Sequence, residues 1–151
     1  MKRHPAEEQI QVAADWWAGE LAIITSQGNG DPMCSAYATV VAFELPRPSP
    51  EQVAAFRTSL VNQLREHIDR KSWKNDNPYW GSYMRTVGCD YGPDGSLRQA
   101  AEAAGIKPCC PPFPLKTVMW INPDKVSVSH GYRAEPRVLW TEAAEVGSDG
   151  D

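Results

Sequence analysis

The hydrophobic period of this chain changes once, and that change limits what it can fold into. Before residue 106 the apolar residues recur every three or four positions. From residue 117 they alternate, and between the two regimes lies Lys107-Pro-Cys-Cys-Pro-Pro-Phe-Pro114, whose four prolines dictate an extended connector. A helical half followed by a strand half predicts an α+β fold, with about four N-terminal helices packed on one face of a C-terminal three-stranded antiparallel sheet.

The helices have readable ends. Ile10, Ala13, Ala14, Trp17, Leu21 and Ile24 share one face of a helix over 6–26, with Pro5 before it and Gly28 after it. Residues 33–45 carry mixed signals, and Asp31-Pro32 as cap and first residue favours helix over strand. Ser49-Pro50-Glu51-Gln52 is a capping box, and Val53, Phe56, Leu60, Leu64 and Ile68 extend it as a helix over about 50–71. A short helix follows, capped by Asp94 or Ser96, with Leu97, Ala101 and Ala104 inward and Gly105-Ile106 closing it.

Thr117–Ile121, Lys125–His130 and Arg137–Thr141 read as strands, the first two joined by a turn at Asn122-Pro123-Asp124. Val126, Val128, His130 and Tyr132 share one strand face, opposite Lys125, Ser127 and Ser129. One buried face and one wet face is the antiparallel habit, and so small a sheet needs the helices to cover its apolar side.

Charge divides the chain into body and tail. The net charge is −4, yet Glu142, Glu145, Asp149 and Asp151 fall in the last ten residues, so fifteen acids face fifteen bases over 1–141. Residues 1–141 are expected to form one domain and 142–151 an acidic flexible tail. A neutral body lacks the basic footprint of duplex binders, which favours protein over nucleic acid as partner. No apolar run approaches the roughly 20 residues of a membrane span, and MKRHPAEEQIQ has no signal-peptide core. A cytoplasmic protein with reduced thiols is expected. Cys34, Cys89, Cys109 and Cys110 lack zinc-ligand spacing, and no metal or cofactor is expected.

The span 72–94 breaks every period with Pro78, Gly81, Gly88, Gly92 and Pro93, and it holds Trp73, Tyr79, Trp80, Tyr83 and Tyr91. Some of these rings are expected to tuck onto the core and others to form a recognition surface. Lys74, Tyr79, Trp80, Tyr83 and Arg85 are the expected contacts, because protein interfaces are enriched in Tyr, Trp and Arg. The primary reading is a non-enzymatic binding protein that recognises a macromolecular partner through residues 70–85. Its small size and lack of any catalytic signature fit a bacterial or phage accessory protein of a mobile element or defence system. A homo-oligomer sealed by Trp16, off the main stripe of its helix, stays open. The alternative is a small enzyme on a nucleotide-like or acyl substrate, with Cys89 as nucleophile, His130 as base and Asp90 beside them. Both His4, in an unanchored start, and His67 are read as having no role.

Overall fold

The computed structural model describes residues 4–27, 48–68, 70–90, 92–106, 113–114, 116–131 and 134–142. Within them lie three α-helices: α1 (Glu7–Gln27), α2 (Pro50–His67) and α3 (Gly95–Ala103). Four strands accompany them: β1 (Thr86–Cys89), β2 (Thr117–Ile121), β3 (Lys125–His130) and β4 (Arg137–Thr141). The sheet is antiparallel throughout, in the order β1-β2-β3-β4. The α+β class and the three C-terminal strands follow the sequence reading.

Two counts differ. The sheet has four strands and not three, because Thr86–Cys89 pairs with β2 in the register Val87 opposite Met119 and Cys89 opposite Thr117. Val87 and Cys89 are buried while Thr86 and Gly88 are half-buried, a two-residue alternation too short to stand out among glycines. Three helices are described and not about four; the helix expected at 33–45 lies outside the described residues, as does the tail beyond 142. The second helix also stops earlier than 71. Ile68 leaves helical geometry at φ −84°, ψ 105°, and Arg70–Ser72 form a separate 3₁₀ turn.

Local chemistry explains the helix ends. Ser49 Oγ accepts the Gln52 N–H while Gln52 Oε1 accepts the Ser49 N–H, both halves of the capping box. Helix α3 ends in a Schellman motif: Gly105 takes φ +76°, its N–H bonds to Glu102, and the Ile106 N–H reaches back to Ala101. Asp94 caps the start of α3 through Oδ1 to the Leu97 N–H, and its Oδ2 accepts the Gly88 N–H at 2.8 Å. One carboxylate therefore ties α3 to β1.

The core lies between the helices and one face of the sheet. Trp17, Ile10 and Leu21 of α1 and Phe56, Leu60 and Leu64 of α2 are buried with Val87, Met119, Ile121, Val126 and Val128 of the sheet. Phe113 packs edge-on to Trp17 and tilted against Phe56, so a residue of the proline connector becomes core. Along the α1–α2 seam Glu7 takes a two-pronged bond from Arg65 at 2.9 and 2.6 Å, and Arg57 reaches Asp15 and Gln11. The hydrogen bonds to Glu7 hold the Arg65 pKa above its ordinary value. The chain before α1 is anchored, contrary to the reading of His4. Its Nδ1 accepts the Ala6 N–H, which leaves Nε2 to donate to the Ile68 carbonyl at 3.1 Å.

Asp94→Ala should lower unfolding free energy by about 1–3 kcal/mol, since both a cap and a strand-edge hydrogen bond go. Urea unfolding followed by tryptophan fluorescence measures this; a change within error would show that the carboxylate does not couple α3 to β1.

Candidate functional site

The span 70–85 is a series of tight turns. Backbone N–H groups of Trp73, Asn77, Trp80, Ser82 and Met84 each bond to the carbonyl three residues earlier, at 2.9–3.2 Å. Gly81 adopts φ +73°, a conformation without strain only for glycine, and opens the 3₁₀ turn Ser82–Arg85 that leads into β1.

Arg85 holds this segment to the sheet. Its side chain is fully buried. Nε donates to the Ile121 carbonyl at 2.8 Å, Nη1 to Trp80 at 3.1 Å, and Nη2 to Pro78 at 3.0 Å and to Asn122 Oδ1 at 2.8 Å. Its carbon lies 5.5 Å from the centre of the Trp73 ring. Burial pushes its pKa below the ordinary guanidinium range. The guanidinium spreads its charge over three carbonyls and an amide, joining the loop to the turn between β2 and β3. Arg85 was expected to touch a partner; its donors face inward instead, so that role is withdrawn.

Its neighbours divide as the aromatic loop permits. Trp73 is half-buried against the core. Tyr79, Trp80, Tyr83 and Met84 are exposed, Tyr83 by 80%. Cations lie over two of these rings: Lys74 Nζ is 5.3 Å from the Trp80 centroid and Lys125 Nζ 5.6 Å from that of Tyr79. Tyr91 lies outside the described residues.

This patch continues onto the sheet. Thr86 pairs with Trp120, Trp120 with Ser127, and Ser127 with Val138, so these four side chains form one row on the face turned away from the helices. Thr86 Oγ1 also donates to the Tyr83 carbonyl at 3.5 Å, which places Tyr83 next to that row. Trp120 and Val118 are half-buried and Val138 is half exposed. Sequence reasoning missed Met84, Trp120 and Val138. The signal was present, since Val118 and Trp120 alternate with the buried Thr117, Met119 and Ile121: a strand with large apolar groups on both faces has two surfaces to cover.

The enzymatic constellation is not assembled. Cys89 is buried at one end of a cross-strand row, Thr117 occupies the middle and His130 the far end, so two strand spacings, about 10 Å, separate thiol from imidazole. His130 Nε2 instead lies 3.0 Å from Glu20 Oε1, and its ring meets Trp16 edge-on. That contact places Trp16 between α1 and the sheet. Asp90 is exposed and ion-paired with Lys116. Among the described residues no three His, Cys, Asp or Glu side chains converge to hold an ion, and no helix is long and apolar enough to cross a membrane.

Residues 37–140 match the profile of the BTG family. No curated protein sequence matches the chain. Among solved structures, a BTG/Tob domain of C. elegans FOG-3 carrying two substitutions superposes with a TM-score of 0.60 at 16% identity. The superposition covers 96% of this chain and 88% of that one. These findings overturn the expected bacterial or phage origin: the family and its nematode example point to a eukaryotic protein.

Arg85→Met should cost at least about 2 kcal/mol, because four oxygens lose a charged donor in a dry site. Arg85→Lys should restore little of that, since a single ammonium cannot span the same fork. Chemical denaturation of both variants checks this, and a lysine variant with parental stability would refute the role.

Proposed function

The chain belongs to the BTG family of interaction domains, and we propose that it binds a protein partner through the surface formed by Lys74, Tyr79, Trp80 and Tyr83, continued by Met84 and Trp120. The observation that carries this is the exposure of three large aromatic side chains and a methionine on one short, hydrogen-bonded segment. Water around such a cluster is released when a partner covers it, and monomeric proteins rarely leave large apolar patches open without a use for them. Aromatic rings also lose little conformational entropy on binding, which suits them as anchors.

Rigidity supports the same reading. Arg85 fixes the carbonyls of Pro78 and Trp80, so the rings between and beside them are presented in advance of binding. Protein is favoured over nucleic acid because the body carries equal numbers of acids and bases. The proposed setting is the cytoplasm of a eukaryotic cell, and the proposed role is recruitment without catalysis. Self-association through Trp16 is no longer favoured, since that ring packs on His130.

A photo-crosslinking residue at position 83, compared with one at the exposed Asn62 of α2, tests the surface in a eukaryotic lysate. The expected result is a discrete protein adduct at 83 that is absent at 62 and lost in the folded Trp80→Ala variant. Adducts with nucleic acid, or equal adducts at both positions, would overturn the proposal.

A further inference from the structure

We propose that the outer sheet face carries a second binding site, a hollow at Gly88 that accepts a short peptide presenting an aliphatic side chain followed by a basic residue. The hollow measures about 460 Å³, within the range of ligand pockets, and is lined by Thr86, Gly88, Asp90, Gly92, Lys116 and Val118. It arises from the pleat. Thr86 and Gly88 lie on the side away from the helices, as does Val118 opposite Gly88, and the missing side chain at 88 leaves backbone as the floor. A Cβ there would lie 3.0 Å from the Thr117 carbonyl oxygen and 3.6 Å from Val118 Cβ.

How a ligand enters is limited by the strand edge. β1 is the outermost strand, but Gly88 already gives its N–H to Asp94 Oδ2 and its carbonyl to the Asp94 N–H at 2.9 Å. An incoming chain cannot extend the sheet at that position, so recognition falls to a side chain pressed into the hollow. The walls offer the methyl groups of Thr86 and Val118 to it, which favours an aliphatic group.

The rim selects charge. Among the described residues of the rim, Asp90 and Asp94 supply two carboxylates against the ammonium of Lys116, and the Asp90 side chain is 69% exposed even while paired. Lys116 is fixed at φ +53° by bonds from its N–H to the Asp90 carbonyl and to its own carbonyl from the Gly131 N–H. The rim keeps a net negative charge in a fixed place, and a basic residue next to the buried side chain complements it. At the aromatic surface it is cations, Lys74 and Lys125, that lie over the rings. The hollow adjoins that surface at Thr86 but uses none of Lys74, Tyr79, Trp80 and Tyr83, so it does not depend on the aromatic proposal.

The test is a titration of the ¹⁵N-labelled full chain with N-acetyl-leucyl-arginine amide, with leucyl-glutamate and glycyl-arginine amides as comparisons. The first should produce saturable shifts confined to the amides around Gly88, Gly92 and Val118, and bind about tenfold more tightly than either comparison. Thr86→Trp, which fills the hollow, and Asp90→Lys, which reverses its rim, should each weaken binding by a similar factor, while Trp80→Ala should leave it unchanged. Absence of saturable shifts, equal binding of the glutamate peptide, survival of binding in Asp90→Lys, or its loss in Trp80→Ala would each overturn the proposal. If Thr86→Trp does not fold, Asp90→Lys decides alone.

Discussion

A buried guanidinium joins the aromatic loop of this protein to its scaffold. Removing a charge from water is costly, and Arg85 offsets that cost by donating to four oxygens, those of Pro78, Trp80, Ile121 and the Asn122 side chain. The arrangement converts a glycine- and proline-rich stretch into a fixed platform. It also couples the platform to the β2–β3 turn, because Asn122 closes that turn through its N–H to the Lys125 carbonyl while its side chain accepts from Arg85.

The layer architecture decides which way the platform faces. α1 packs on both α2 and the sheet, and Gln9 and Glu8 extend this contact by bonding the Pro123 carbonyl and the Trp140 indole. The helical layer thus occupies one side of the sheet. The apolar side chains on the other side, Val118, Trp120 and Val138, are left beside the loop's exposed rings. The helices therefore cover one face of the sheet and leave these side chains on the other.

Much of the scaffold was legible in the sequence because its signals are local. The Ser49 capping box, the Gly105 stop and the Asn122-Pro123-Asp124 turn depend on residues within a few positions of each other, and each formed as read. Strand β1 was not legible, since four residues with a glycine among them have too little pattern; only pairing with β2 stabilises them as a strand. The site was half legible. Composition marked the aromatic segment, but could not tell that Arg85 turns inward while Tyr83 turns out, because the oxygens that attract Arg85 include two from residues 36 and 37 positions away.

Sequence alone determined the fold class and the helix ends at Ser49 and Gly105, and marked the aromatic segment, since periodicity and capping act over one or two turns of chain. Tertiary structure decided the fate of each side chain in that segment, the fourth strand, and the distance that separates Cys89 from His130. The reason is physical: burial and hydrogen-bond partnership depend on what arrives from elsewhere in the chain, and no local pattern of residues encodes that arrival.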